Sequence, residues 1–112
     1  MKYLPMSVSL ISLLAISGSV LAASDRMEDG HTAYTALCAK CHEQGVDGAP
    51  KTRDQKHWEN RSNLWDAVLS KHATKGYLGM PPKGGSPQAS DYDVDAAAEY
   101  MLTITHPDMP HD

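Results

Sequence analysis

Two cysteines and a histidine lie within five consecutive positions, as Cys38, Cys41 and His42. This C-x-x-C-H spacing is the attachment signature of c-type haem. Two thiols three positions apart on one helical turn can each add to a haem vinyl group and form a thioether. The adjacent imidazole then lies under the porphyrin and can bind iron through a neutral nitrogen. The motif therefore predicts one haem c per chain, covalently attached through both cysteines, with His42 as an axial ligand of the iron.

Three other uses of the cysteine pair fit the sequence less well. A thioredoxin-like redox pair needs a strand–helix context, which the surrounding sequence lacks. A structural zinc site needs four ligands. Since the chain has only 2 Cys, histidines without a convincing spacing would have to complete such a site. A disulfide between Cys38 and Cys41 would close a very short loop and would constrain the unfolded chain little.

A second axial ligand would decide what the iron can do, and Met80 is the favoured candidate. It lies in the segment Gly79-Met80-Pro81-Pro82, far enough along the chain from His42 to reach the opposite haem face. The two prolines restrict the backbone, so holding the sulfur on iron costs less conformational entropy. A packing role for Met80 and a histidine ligand both stay open. The other candidates are Met27, Met101, Met109, His31, His57, His72, His106 and His111.

Helices must position these groups, and the spacing of apolar residues predicts three of them. Asp25 and Ser90, each with an acidic residue three positions later, form the capping boxes of the first and third helices. Ser62 caps the second helix and Gly76 ends it. No segment shows the alternation of a strand, and the connections are long loops, for which wrapping a cofactor is a physical reason. The predicted fold is all-α, with helices at about residues 25–41, 63–73 and 91–105.

The first 22 residues have the three-part pattern of a secretory signal peptide. Lys2 gives a positive start, an apolar stretch follows, and small residues precede a cleavage position after Ala22. Cleavage after Ala23 is an alternative. An uncleaved anchor is disfavoured because the apolar stretch is short for a span of roughly 20 residues. We expect residues 1–22 to be removed on export to the periplasm, which leaves a domain of residues 23–112 without stable membrane insertion.

Composition argues against a general nucleic-acid binder and suggests that a cofactor completes the core. The 112-residue chain has a formal net charge of −4, whereas proteins that bind phosphate backbones usually present a basic face. Aromatic content is low, with 2 Trp, 5 Tyr and no Phe. A mature domain of about 90 residues gains only modest stability from its own core, and a buried haem would enlarge that core.

Several further segments accompany the C-x-x-C-H motif. They are Gly30-x-x-x-Tyr34 before it, Gly48-Ala49-Pro50 after it, a W-x-x-R element at Trp58 and Arg61, Gly76 with Met80-Pro81-Pro82-Lys83-Gly84-Gly85, and Tyr100-Met101. With these segments the mature chain resembles the class I c-type cytochromes over nearly all of its length, and in particular the short bacterial cytochrome c5 branch. Some members of that branch have an extra cysteine pair, which this chain lacks.

The resemblance implies the class I cytochrome c fold, with three main helices and long loops around one covalent haem. It implies that Cys38 and Cys41 form the thioethers and that His42 and Met80 are the axial ligands. It also implies that the Pro50 carbonyl accepts a hydrogen bond from the other nitrogen of His42, which would fix the tautomer of the imidazole.

Two further expectations follow from the resemblance. Trp58 and Arg61 would lie near a haem propionate, with ordinary packing and surface roles as the alternative. The first and last helices would cross with Gly30 and Tyr34 against Tyr100. This crossing would explain a glycine inside a helix, where it costs roughly 1 kcal/mol relative to alanine.

The function expected from these residues is that of a soluble electron carrier, not an enzyme, whose iron cycles between the ferrous and ferric states. Methionine ligation raises the reduction potential. Redox protein partners would dock transiently at the haem edge of a monomer, steered by Lys40, Lys75 and Lys83. The alternatives are a haem subunit of a larger respiratory or dehydrogenase complex and, if Met80 does not bind iron, a small haem peroxidase or sensor.

Overall fold

The structure, a computed structural model, describes residues 3, 5, 18–61 and 66–108. Within these ranges the chain forms four α-helices and two 3₁₀ turns, and no β-strand. The all-α prediction is confirmed. The helices are α1 (Gly18–Leu37), α2 (Ala39–His42), α3 (Asp66–Lys75) and α4 (Asp91–Thr105), and the 3₁₀ turns are Val46–Gly48 and Pro82–Gly85.

The first predicted helix begins earlier than expected and divides near its end. In the full chain α1 begins at Gly18, so Asp25 lies inside the helix and does not cap it. The helix divides at Cys38, where φ is −116° and ψ is −35°. The backbone hydrogen bonds continue through the division, because the Cys38 N–H donates to the Tyr34 carbonyl at 2.9 Å and the His42 N–H to the Cys38 carbonyl at 3.0 Å. The three predicted helices thus become four, and the short α2 carries the end of the motif.

The last helix has the predicted bounds, and its predicted cap is present. Ser90 is extended (φ −72°, ψ 153°), and its hydroxyl accepts a hydrogen bond from the Asp93 N–H at 3.0 Å. This bond satisfies one of the amide donors left free at a helix start. The matching prediction for the second helix, the Ser62 cap, lies outside the described residues. So do Met109, His111 and most of the predicted signal segment.

Gly76 follows the last residue of α3, as predicted, and turns the chain toward the Met80 loop. Its φ is +83°, a left-handed conformation that glycine adopts without steric cost. A Cβ at this position would lie 3.0 Å from the Met80 carbonyl oxygen and 3.0 Å from the Cδ of Pro82. Glycine is therefore needed here both for the turn and for the close approach of the loop.

The predicted crossing of the first and last helices is present at Gly30. A Cβ on Gly30 would lie 2.9 Å from the Cβ of Tyr100 and still closer to the carbonyl oxygen of Ala96. The rings of Tyr34 and Tyr100 pack across the same crossing, with centroids 5.4 Å apart. The absent side chain at Gly30 therefore lets the α1 backbone reach the α4 backbone.

The core around this crossing is small and lies directly beside the C-x-x-C-H motif. Its buried members are Ala33, Tyr34 and Ala97. Met101 packs against them, as expected from its place on the apolar stripe of α4, and so does Cys38. Helix packing and the position of the motif are thus coupled through shared contacts.

A cluster of polar side chains joins α1 to α4. The Tyr92 hydroxyl donates to Asp29 Oδ2 at 2.7 Å, and Arg26 Nε donates to Glu99 Oε2 at 3.0 Å. The Arg26 guanidinium also lies 4.7 Å from the centre of the Tyr92 ring. Because these groups are partly exposed, water screens their charges and each contact adds little to stability. Within the described ranges, no helix is long and apolar enough to cross a membrane.

Candidate haem site

The three groups of the C-x-x-C-H motif lie together where α1 passes into α2. Cys38 and Cys41 are unpaired and partly buried, and His42 is only 7% exposed. Burial raises the pKa of the Cys38 thiol to about 11, and the nearby Cys41 adds to this shift. Both cysteines are unpaired and lie on neighbouring turns of the chain, which is the arrangement that thioether formation needs. In the described part of the chain, no three Cys, His, Asp or Glu side chains come together as a metal site.

His42 is held at two points by the segment that follows the motif. Its Nδ1 lies 2.8 Å from the Pro50 carbonyl oxygen, the contact implied by the family resemblance. Its own carbonyl accepts a hydrogen bond from the Thr52 N–H at 2.8 Å. Because a carbonyl only accepts, Nδ1 carries the proton and Nε2 is left as the lone-pair nitrogen. The imidazole is thus fixed in the tautomer that can bind iron through Nε2.

The structure brings Trp58 to His42 but leaves Arg61 at the surface. The two rings of Trp58 and His42 are stacked with centroids 6.0 Å apart and planes 26° apart. Trp58 Nε1 donates to the Lys51 carbonyl at 2.9 Å. The exposed Arg61 guanidinium donates to the His57 carbonyl, four residues earlier. Trp58 therefore packs against the imidazole. A contact of Trp58 or Arg61 with a haem propionate stays a prediction.

Met80 lies at the end of a tight turn that its own backbone closes. The Tyr77 N–H donates to the Met80 carbonyl at 3.0 Å, and the Met80 N–H donates to the Tyr77 carbonyl at 2.9 Å. The two residues between them, Leu78 and Gly79, form the tip. This double pairing holds the backbone of Met80 in place independently of anything its sulfur binds.

Three of the histidines that were open as alternative ligands have other contacts. The His31 ring packs on Tyr100 with centroids 5.2 Å apart. The His72 ring stacks on Tyr77 with centroids 3.8 Å apart and planes 6° apart. His57 accepts a backbone N–H through Nδ1 at 3.1 Å. The stacking of His72 also packs α3 against the turn that carries Met80.

The tip residue Leu78 occupies a backbone conformation that a leucine rarely adopts. It is 89% exposed, and its φ is +51°. The left-handed region costs an ordinary side chain roughly 1–2 kcal/mol, whereas asparagine tolerates it. This strain could not be predicted from the sequence, because leucine is not a residue typical of turns.

We expect Leu78→Asn to raise the free energy of unfolding by about 1 kcal/mol, because asparagine relieves the left-handed strain without removing a buried contact. Chemical denaturation of the haem-loaded protein would measure the change. Val68→Asn is the matched control, since Val68 is also exposed (38%) but lies in the regular helix α3. It should lower stability or leave it unchanged. A loss of stability in Leu78→Asn would contradict the strain.

A hydrogen-bonded cluster beside the motif was missed by reasoning from the sequence. The Tyr34 hydroxyl contacts both a carboxylate oxygen of Glu43 and Oγ1 of Thr52, the latter at 3.0 Å. Arg53 Nη1 donates to the same Glu43 oxygen at 2.9 Å. Since a phenol has one hydrogen and an ionised carboxylate only accepts, Tyr34 donates to Glu43 and accepts from the Thr52 hydroxyl. Only the position of Glu43, directly after the motif, could have drawn attention to it.

The cluster changes the titration of its members in opposite directions. Burial first, and then the hydrogen bond to Glu43, raises the pKa of Tyr34 to about 12 from its ordinary value of 10.0. The hydrogen bonds from Tyr34 and Arg53 hold the pKa of Glu43 below its usual value. The phenol thus stays protonated and the carboxylate stays ionised over the whole neutral range.

The raised pKa of Tyr34 predicts a loss of stability at high pH. A group whose pKa is raised on folding contributes stability that is complete below its unfolded value of about 10. That contribution is lost as the pH rises from about 10 to about 12, by up to about 1.4 kcal/mol per pH unit. We expect the stability difference between the wild-type protein and Tyr34→Phe, measured by denaturation, to shrink over this range. If the stability difference between the two proteins stayed constant from pH 8 to 12, the raised pKa of Tyr34 would be contradicted.

Of the three lysines expected to steer partners, Lys83 is used inside the molecule. Its ammonium donates to the Ala89 carbonyl at 2.8 Å and pairs with Asp91 at 3.0 Å. Only 21% of its side chain is exposed. Lys83 therefore ties the Met80 loop to the start of α4. Lys40 and Lys75 are exposed, and they alone remain as candidates for steering.

Known proteins are similar to this chain in sequence. A protein-family model described as cytochrome c oxidase, cbb3-type, subunit III, matches residues 25–101. Cytochrome c-555 of Prosthecochloris aestuarii is 37% identical over 84 residues, which cover 68% of this chain and 85% of the relative. Cytochrome c5 of Ectopseudomonas mendocina is 39% identical over 67 residues, covering 57% of this chain and 76% of the relative.

A solved structure agrees with these relatives. A chain in the crystal structure of the electron transfer complex of nitrite reductase with cytochrome c aligns with a TM-score of 0.63 and 32% identity. The alignment covers 69% of this chain and 94% of that chain.

An all-α domain that presents two free thiols and an anchored imidazole on one stretch of helix has the site of a c-type cytochrome. Together with the relatives above, it shows that this chain belongs to the class I c-type cytochromes. The predictions of the family, of covalent haem c and of electron transfer without enzymatic activity are confirmed by these relatives. The donor set fits the haem, because both thiols are unpaired and His42 Nδ1 is already engaged with Pro50.

Proposed function

We propose that this protein is an exported single-haem electron carrier in which His42 and Met80 are the two axial ligands of the iron. The observation that carries the proposal is the hydrogen bond of 2.8 Å between His42 Nδ1 and the Pro50 carbonyl. This bond leaves Nε2 of a buried imidazole available to bind iron. The pinned backbone of Met80 supports the second ligand.

The chain's own residues would perform electron transfer by holding the iron ligands fixed. Bound haem supplies a one-electron couple between ferrous and ferric iron. Cys38 and Cys41 would tether the macrocycle, and His42 would supply one nitrogen ligand to the iron. The Met80 sulfur would be the second ligand, which would leave no site for a substrate and would raise the reduction potential. In this proposal Trp58 and Arg61 would lie near a haem propionate, and Arg61 would reach it by leaving the His57 carbonyl.

The ferric absorption spectrum of the purified haem-loaded protein tests the ligand set. Methionine sulfur on ferric iron gives a weak band in the red, and a filled coordination sphere makes cyanide and carbon monoxide bind slowly or not at all. We expect the red band and slow binding. A high-spin spectrum with fast binding of cyanide would overturn the proposal and favour a peroxidase or sensor.

The partners in this proposal are redox proteins that dock transiently on a monomer. The solved electron transfer complex supports this, since it pairs a cytochrome c with nitrite reductase. Neutralising Lys40 and Lys75 should weaken the salt dependence of electron transfer to a negatively charged acceptor. An unchanged salt dependence would rule out steering by these lysines. The Lys83→Gln variant is a control for general effects on the loop.

A fixed place in a larger assembly is the second candidate, because the matching family model is described as a subunit of an oxidase. Purification of the tagged protein from the membranes and periplasm of its native cells would distinguish a subunit from a free carrier. A stable stoichiometric complex favours the subunit, and a free monomer favours the carrier.

Export and cleavage belong to the same proposal. The pattern of residues 1–22 supports a signal peptide. The intact mass of the protein from the periplasmic fraction tests it. A mass that matches residues 23–112 or 24–112 plus one haem supports export with cleavage, and a full-length mass in the membrane fraction would support an anchor.

A further inference from the structure

The segment from Pro50 to Arg53 hydrogen-bonds both the imidazole and the backbone carbonyl of His42. The Pro50 carbonyl accepts from the imidazole, and the Thr52 N–H donates to the His42 backbone carbonyl, each at 2.8 Å. Thr52 is only 6% exposed. The position of this segment therefore sets how close the Pro50 carbonyl lies to His42 Nδ1.

Side chains from α1, from α4 and from the residue that follows α2 hold this segment in place. Tyr34 of α1 hydrogen-bonds Thr52 Oγ1 at 3.0 Å, and Glu43, directly after α2, pairs with the Arg53 guanidinium at 2.9 Å. From α4, Thr105 Oγ1 accepts the Arg53 N–H at 3.1 Å. The hydroxyl of Tyr34 also joins Glu43, so the two side chains form one connected support. Arg53 itself has a φ of +70°, a conformation that persists only where such contacts impose it.

We propose that Tyr34 and Glu43 are positioning residues for the iron ligand His42. Through Thr52 and Arg53 they press the Pro50 carbonyl against His42 Nδ1, and so set how strongly the imidazole donates electrons to iron. The inference deepens the proposed function, because it rests on His42 being the ligand. The two residues act at a distance from the iron, through the loop and not through contact with the haem.

The direction of the effect follows from the hydrogen bond. A stronger bond from Nδ1–H makes the imidazole a more basic ligand, which favours the more positive ferric iron. Loosening the Pro50 segment weakens that bond, so the ferrous state gains and the reduction potential rises. A general loss of stability would not by itself raise the reduction potential.

Two variants remove the support without changing net charge. Tyr34→Phe deletes the hydroxyl that joins Glu43 to Thr52, and Thr52→Val deletes the hydroxyl that joins the segment to Tyr34. The Glu43 carboxylate, once it loses the phenol hydrogen, becomes a stronger negative field near the iron and would lower the potential. A rise in potential can therefore not come from that charge.

Tyr92→Phe is the matched control. It also removes a hydrogen bond from a tyrosine hydroxyl to a carboxylate between α1 and α4, here to Asp29 at 2.7 Å. None of its described contacts reaches the Pro50 segment. It should lower stability slightly and leave the potential unchanged.

The experiment measures the reduction potential of each haem-loaded variant and the resonance of the His42 Nδ1 proton in the ferrous, diamagnetic state. For Tyr34→Phe and Thr52→Val we expect the equilibrium between ferric and ferrous iron to shift about threefold toward ferrous. This corresponds to about 28 mV at 59 mV per tenfold for one electron. The Nδ1 proton should move upfield and exchange faster with water.

Unchanged potentials and unchanged Nδ1 resonances in both variants would overturn the proposal, as would an equal shift in Tyr92→Phe. Failure of the ligand proposal is a separate outcome. In that case the His42 ring protons of the wild-type protein would lack the large shift that a haem ring current gives to an axial imidazole.

Discussion

Replacing Gly30 by alanine is expected to lower the free energy of unfolding by about 3 kcal/mol. The new methyl group would lie 2.9 Å from the Cβ of Tyr100 and closer still to the carbonyl oxygen of Ala96. Since that oxygen belongs to the backbone of α4, no rotamer change can relieve the clash, and the helices must move apart. The higher helix propensity of alanine returns only about 1 kcal/mol. Denaturation followed by far-ultraviolet circular dichroism would measure the loss.

Gly79→Ala is the control for this prediction, because a Cβ at Gly79 meets nothing within 4 Å and the residue is not in the left-handed region. Its effect on stability should stay within about 0.5 kcal/mol. If Gly30→Ala proved as stable as Gly79→Ala, the close contact between α1 and α4 would be wrong. Since the haem is attached by thioethers, it should stay bound in both variants.

Replacing Met80 by alanine is expected to have the largest effect on the iron. The red band of the ferric protein should disappear, and cyanide should bind at least about tenfold faster because one axial position is open. Loss of the Met80 sulfur as an iron ligand favours ferric iron. A shift of about a hundredfold in the redox equilibrium would lower the potential by about 120 mV, at 59 mV per tenfold for one electron. Visible spectroscopy, stopped-flow mixing and redox titration would measure the three effects.

Met101→Leu is the matched control, because it removes the sulfur of the methionine that packs in the core on α4. It should keep the red band and the slow binding of cyanide. If the red band survived in Met80→Ala and disappeared in Met101→Leu, Met101 would be the iron ligand and Met80 the packing residue.

The sequence predicted best what depends on neighbouring residues. Ser90 and Asp93 are three positions apart, so the cap of α4 could be read directly, and its bounds agree. The spacing of Cys38, Cys41 and His42 lies within one stretch of helix, so its chemistry is equally local. The division of the helix at Cys38 has no such signature, because a cysteine neither favours nor forbids the change of φ seen there.

Features that join distant parts of the chain were harder to predict. Tyr34 and Thr52 are 18 positions apart, and only the folded loop brings them together. Lys83 was expected at a docking surface, yet its stem and ammonium are used between the Met80 loop and Asp91. In both cases the residue type is compatible with several environments, so the tertiary contacts decide its role.

The paired backbone of Tyr77 and Met80 also bears on the speed of electron transfer. An electron moves quickly between proteins when few atoms must shift as the charge changes, so that the reorganisation energy is small. The two hydrogen bonds between these residues belong to the chain and do not depend on the charge of the iron. With Met80 as ligand, its sulfur would keep nearly the same place in both oxidation states. The turn would thus prepare the site for fast exchange at small driving force, as preorganised dipoles do in other reactions.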